Sequence, residues 1–232
     1  FALAAGKGVS PEAIARQLAT FLPTVTLGGG CQPLLDFTVW VVSPGWIDFQ
    51  LSDRALATWL QKLPQVSALF SPVQESTQDI SETLTSLFPL QYAHARCCSL
   101  LRLGHQEGLI RLYDPDFSQP VWQWREPAPI PWFEPDTSGN FQLVHPTERH
   151  LLMQLLTFGD VLDSPEQGNL VKLANDLSDA FLDFYSRCRI WGQVSKETPP
   201  LAQARLAAIA ATQFLLRGLL EGRLRVAALV EV

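Results

Sequence analysis

QYAHARCCSLLRLG, residues 91–104, is the stretch whose reading decides how this chain is organised. It sets a Tyr, a His, an Arg and two adjacent Cys on one predicted helix. Tyr92, Arg96 and Ser99 fall at i, i+4 and i+7 and share a face, while Ala93, Cys97 and Leu100 share the neighbouring one. A polar-aromatic edge thus runs beside an apolar stripe. Four uses fit such a helix: a metal site, a nucleophile with its base, a docking face for an anion, or a plain core helix.

The chemistry-bearing readings fail on spacing. His94, Cys97, Cys98 and His105 are close in sequence and Cys188 could join them, but the paired C-x₂₋₄-C motifs of a structural zinc site are missing. No metal and no cofactor are expected. Cys97 and Cys98 point in different directions on a helix and cannot bridge each other without strain. Four Cys in 232 residues make no disulfide framework, so reduced, buried thiols are expected. GKG at 6–8 and GGG at 28–30 lack the strand, helix and Ser or Thr of a phosphate loop. Neither G-x-S-x-G nor H-E-x-x-H occurs. Asp114 and Asp116 lie among prolines and read as turn residues. Nothing predicts an active site.

Working outward, helices are predicted over 91–104, 146–158, 169–191 and 199–220. Gly192 ends the third, and Pro199 and Pro200 precede the last. The segment 105–144 interrupts them. It is rich in Pro, carries Trp122, Trp124 and Trp132, and is long for a connection in a compact helical domain. Its VWQW alternates and reads as one strand of a hairpin. Towards the N-terminus, PEAIARQLATFL reads as a helix with Ser10 as its cap and Pro11 at the first helical position. DFTVWVV and WIDFQLS read as strands about a Ser43-Pro44-Gly45 turn. Asp53 is predicted to cap the helix RALATWLQKL. The expected domains are a small α/β unit over 1–70, a linker over 71–90 whose polar stretch 71–86 reads as linker or short exposed helix, and a helical domain over 91–232 with its insert at 105–144.

Composition sets the class. Hydrophobic residues make up 47% and charged residues 17%, which describes a globular chain rather than a disordered one. No apolar run approaches the roughly 18–20 residues that span a bilayer, and a soluble, cytoplasmic protein with no membrane partner is expected. The chain begins on Phe1, without an initiator Met or the layout of a signal peptide. The net charge of −6 counts against a surface that binds nucleic acid everywhere. The charge is uneven, however: residues 107–183 carry a balance of −9 and residues 187–225 one of +5. A polyanion is expected at the C-terminal segment. FYSRCRIW (184–191) repeats the edge seen at 91–104, with Tyr185 and Arg189 at i, i+4 and Arg187 beside them. Tyr and Arg together suit stacking on unpaired bases and contact with phosphates; spacing alone favours their pairing with the domain's own acids.

QYAHARCCSLLRLG resembles the helix that opens the DALR anticodon-binding domain of arginyl-tRNA synthetases. VHPTERHLLMQLLTFGDVL (144–162), LANDLSDAFLDFYSRCRIWG (173–192) and LAQARLAAIAATQFLLRGLLEG (201–222) resemble the rest of that domain in the same order. PEAIARQLATFLP (11–23) and SPGWIDFQLS (43–52) are similar to the first helix and the Gly-Pro-Gly-Phe-Ile-Asn-Phe motif of the family's small N-terminal domain. The resemblance implies an α+β chain: a small helix/strand N-terminal domain followed by an all-α DALR-type bundle with a Trp/Pro-rich insert. It also has departures. The family carries its catalytic domain between these parts, with a His-x-Gly-His signature and a Lys-Met-Ser-Lys-like loop. Here about 20 residues separate them, the four His form no such motif, and Met153 is the sole Met. Asp48 stands where the family often has Asn, and a carboxylate there repels phosphate. RLRVAALVEV (223–232) lacks the family's terminal Met motif.

The implied function is a non-catalytic tRNA-binding module without an ATP site, its partner a tRNA, with tRNA-Arg the first candidate. Tyr92 and Tyr185 would stack on bases; Arg96, Arg187 and Arg189 would contact phosphates or base edges; Arg205 and Arg217 would add charge; Trp46 and Gln50 would lie near the D-arm. The rival is a protein–protein adaptor that kept the fold and lost the RNA, with Trp122, Trp124, Trp132 and Phe133 either as anchors for a protein partner or simply as cover for the bundle core. A synthetase fragment crystallised without its catalytic domain is a third reading, against which the short spacer and the unusual insert argue.

Overall fold

The computed structural model describes residues 9–21, 36–63, 80–135, 139–163 and 170–231. Cys31 and residues 71–79 of the expected linker lie outside them. The chain is α+β and divides into two compact units, Phe1–Lys62 and Leu63–Val232.

The first unit follows its local signals. Helix α1, Pro11–Phe21, starts where Ser10 Oγ accepts the Ala13 N–H at 3.2 Å, with Pro11 at the first helical position. Strands β1, Phe37–Val42, and β2, Trp46–Leu51, form an antiparallel hairpin in which Trp40 faces Asp48 and Val42 faces Trp46. Gly45 in the connecting turn has φ of +141°, and a Cβ on it would fall 2.8 Å from the carbonyl carbon of Pro11. Only glycine satisfies both conditions. Helix α2, Asp53–Lys62, buries Ala55, Leu56, Ala57 and Leu60. Its cap is Ser52 rather than the expected Asp53: Ser52 Oγ accepts the Ala55 N–H at 3.1 Å, while Asp53 is already the first helical residue.

The second unit is a helical bundle. Helix α3, Ile80–Gln106, begins well before the expected residue 91, so that the stretch 80–90 is helix and not linker, with Pro89 inside it. Helix α4, Pro146–Asp163, lies along α5, Leu170–Arg187. A short helix α6, Gln193–Glu197, leads into α7, Pro199–Arg217, which lies along α3. From Leu206 to Arg217 every residue of α7 is buried, the mark of a helix enclosed on all sides. Gly104 lets the two approach: a Cβ there would meet a Leu206 methyl at 2.9 Å. Helix α7 continues as a π-helical turn, Gly218–Arg223, after which residues 224–231 leave regular structure and lie against α3. Gln91 holds this tail at the Ala227 carbonyl (2.8 Å) and the Leu229 N–H (2.9 Å), and Arg102 donates to the Val230 carbonyl at 3.0 Å.

The insert is folded. Strand β3, Arg111–Leu112, pairs antiparallel with β4, Trp124–Glu126, so the expected VWQW strand begins at its second Trp. Asp114 accepts the N–H groups of Asp116 (3.1 Å) and Ser118 (2.6 Å), which makes it a turn residue.

Candidate nucleic-acid interface

The two edges singled out in the sequence meet. Helix α5 packs on α3 and brings Tyr185 to Arg96. The Arg96 guanidinium donates to the Tyr185 hydroxyl at 2.7 Å and stands 5.0 Å from the ring centroid. A hydrogen bond and a cation–π contact thus fix one pair, and both side chains are half-buried. Phe181, one turn earlier, stacks on Tyr185 at 6.3 Å. Tyr92, one turn before Arg96, is exposed and stacks on Phe88 at 6.4 Å. Phe88 is itself 60% exposed. It escaped the sequence reading, although its i, i+4 spacing to Tyr92 was visible, because that reading began the helix at Gln91. The result is a continuous ridge of Phe88, Tyr92 and Arg96 on α3, flanked by Tyr185 on α5.

Arg187 and Arg189 lie at and just beyond the end of α5, both exposed. Arg187 pairs with Asp183 at 2.7 Å in an exposed i, i+4 contact, an interaction too weak to hold it from a phosphate. The backbone of Arg189 is pinned by Arg205, whose guanidinium donates to its carbonyl oxygen.

Arg205 and Arg217 sit differently from the expectation. Arg205 lies 2.7 Å from Glu148, whose side chain is 1% exposed, and the other Glu148 oxygen accepts the His145 N–H at the start of α4 at 2.8 Å. Arg217 is buried; it donates to the carbonyls of Phe117 (2.8 Å) and Gln119 (2.9 Å) and pairs with Glu221 at 3.0 Å. These two arginines tie helix to helix and insert to bundle, so their charge is spent inside the protein. The positive balance of residues 187–225 therefore overstates the cation available to a ligand.

Two of the insert's tryptophans turn inward. Trp124 and Trp132 are 5% and 4% exposed, and the Trp124 indole N–H donates to the Pro127 carbonyl at 2.9 Å. Trp122 sits edge-on to Phe214 of α7 at 5.7 Å, and Phe133 edge-on to Phe141 at 5.6 Å. Trp122 packs on the bundle through Phe214, while Phe133 packs within the insert against Phe141. Of the expected partner-binding set, Trp124 and Trp132 are thus packed inside, while Trp122 and Phe133 stay half-buried. Trp46 and Gln50 are exposed on the outer face of the hairpin in the first unit.

His94 and the three described cysteines lie in the core. His94 is fully buried; its Nδ1 lies 2.8 Å from the Leu229 carbonyl and its Nε2 2.9 Å from the Gln213 amide nitrogen. Those partners fix the tautomer with the proton on Nδ1. Burial lowers its pKa to about 4 against the raising effect of the Leu229 carbonyl, with a smaller lowering from Arg217. Burial drives Cys97 well up and Cys98 to about 12, and raises Cys188 as well. Such thiols are poor nucleophiles. Among the described residues no group of three His, Cys, Asp or Glu could hold a metal ion, and no helix is long and apolar enough to cross a membrane.

Residues 90–221, more than half of the chain, match the family described as DALR anticodon binding domain. Similar curated proteins are arginine–tRNA ligases. That of Synechococcus sp. (strain JA-3-3Ab) is 32% identical over 143 residues, 60% of this chain and 21% of the ligase. That of Moorella thermoacetica is 29% identical over 139 residues, covering 58% and 20%. That of Symbiobacterium thermophilum is 33% identical over 134 residues, covering 56% and 20%. The match thus spans about a fifth of the length of these relatives. No solved structure matches the chain.

Proposed function

Since this chain belongs to the DALR anticodon binding domain family, we propose that it is a non-catalytic module whose helical unit binds tRNA along the α3–α5 edge. The observation that carries this reading is the Arg96–Tyr185 pair, a ring and a guanidinium locked together across two helices at 2.7 Å. An unpaired base can stack on Tyr92 or on the outer side of Tyr185, and base–aromatic stacking is worth about 1–3 kcal/mol per base. Arg96 reaches a phosphate or base edge while staying oriented by Tyr185. Arg187 and Arg189 extend the cationic edge past the end of α5. Arg205 and Arg217 act indirectly, by holding the Arg189 backbone and the insert. Trp46 and Gln50 flank Asp48 on the hairpin, and that carboxylate repels a phosphate, so the D-arm contact is left out of this reading.

The test is binding of the full chain to a tRNA-Arg transcript and to an unrelated tRNA at two salt concentrations. Selective binding, weakened by Arg96→Ala and by Arg189→Ala, is expected. Each lost phosphate contact should also lower the slope of log K against log salt by about 0.7–0.9. Absence of binding even at low salt, where non-specific contacts are strongest, removes the reading.

A further inference from the structure

We propose that the outer face of the β1–β2 hairpin is a docking notch for a basic protein segment, with an arginine or lysine side chain seated between Trp40 and Trp46 against Asp48. The register builds the notch. Asp48 has Trp40 directly across from it and Trp46 and Gln50 two residues away along its own strand, while Val42 stands opposite Trp46. Alternation places all five on one face. Asp is short and Trp is tall, so the carboxylate forms a floor and the indoles form walls. Trp40 and Trp46 remain 57% and 63% exposed and Val42 45% exposed, which leaves the walls open. Among the described residues no cation lies over either indole and Asp48 has no ion pair.

Charge selects the occupant. An indole face attracts a cation through its quadrupole, most strongly when water is excluded, and a guanidinium can stack on Trp and hydrogen-bond a carboxylate at once. A polyphosphate backbone would have to approach the same carboxylate and is disfavoured. Residues 1–62 hold four basic and four acidic residues, so the selection rests on the Asp48 carboxylate itself and not on the charge of the unit. Trp and Arg are both enriched among the strongly contributing residues of protein interfaces. The basic segment is thus recognised by two aromatic walls and one anion.

The experiment titrates the full chain against a labelled hexa-arginine peptide by fluorescence anisotropy. Wild type should bind, and Asp48→Asn, Trp40→Ala and Trp46→Ala should each weaken binding by roughly fivefold or more, the range of a desolvated cation–π contact or charge pair. Asp116→Asn, an exposed acid of the other unit, should leave binding unchanged and so separates the notch from general attraction to an acidic chain. All four side chains are surface groups, and circular dichroism checks that the fold is kept. Wild-type affinity in Asp48→Asn overturns the proposal. So does single-stranded RNA that binds more tightly to Asp48→Asn and loses that binding in Trp40→Ala, since the face would then be a base-stacking platform. The tRNA reading is tested independently, because Arg96→Ala should leave peptide binding intact.

Discussion

Substitution of Arg205 decides whether this cation belongs to the protein or to a ligand. Its guanidinium sits 2.7 Å from a Glu148 carboxylate that is 1% exposed, and its own side chain is 12% exposed. Arg205→Met keeps most of the stem packing but leaves the carboxylate buried without its counter-ion. Breaking such a pair from one side costs about 3–5 kcal/mol. Glu148→Gln should cost less on the α4 side, because an amide oxygen can still accept the His145 N–H that Glu148 now receives at 2.8 Å. The double variant buries no charge at this position, so it should recover about 2 kcal/mol or more relative to the sum of the single changes, the range seen for residues in one buried network. Urea unfolding followed at 222 nm reads the helical unit directly. A loss below about 1 kcal/mol in Arg205→Met, or strict additivity in the double variant, would refute the argument. It would mean that Arg205 spends its time in solvent, where it could meet a phosphate after all.

Protonation of His94 offers a second test. Its pKa falls from 6.5 in the unfolded chain to about 4 in the folded one, so between these values the unfolded state holds the proton more tightly. The stability associated with neutral His94 is complete above about pH 6.5 and is lost as pH drops through 4, by about 3 kcal/mol in all. Urea midpoints measured at neutral pH and near pH 4 should therefore diverge less in His94→Gln than in wild type; an unchanged difference contradicts the buried neutral imidazole. Thiol accessibility gives a third. In a Cys31→Ser background, Cys97, Cys98 and Cys188, all buried with raised pKa values, should react with a chromogenic disulfide reagent only after denaturant unfolds the bundle. Prompt labelling of any of them in the native state would place it at the surface.

Much of the architecture was legible because its signals are local. Ser10 and Pro11 announce α1, the Ser-Pro-Gly turn announces the hairpin, and Pro199-Pro200 announces α7; each is a short-range preference of the backbone. The Tyr92/Arg96 edge was equally legible, since i, i+4 spacing on a helix fixes which residues are neighbours. The polar stretch through SETLTS reads as linker or short exposed helix, yet Leu87 and Leu90 bury themselves in the bundle and the helix runs unbroken from Ile80 through Pro89. Packing overrode a weak propensity.

By itself the sequence determined the order and type of elements, the acidic character of the chain, and the helical edges that carry Tyr and Arg. Only the tertiary structure decided that Arg96 meets Tyr185 across two helices, that Arg205 and Arg217 are sealed against Glu148, Glu221 and insert carbonyls, and that Trp124 and Trp132 face inward. The physical reason is one of range. Helix and turn preferences act over four or five residues and are written in the local text, whereas a charge or a ring finds its partner 57 to 100 residues away, and that pairing exists only once the chain has closed around its core.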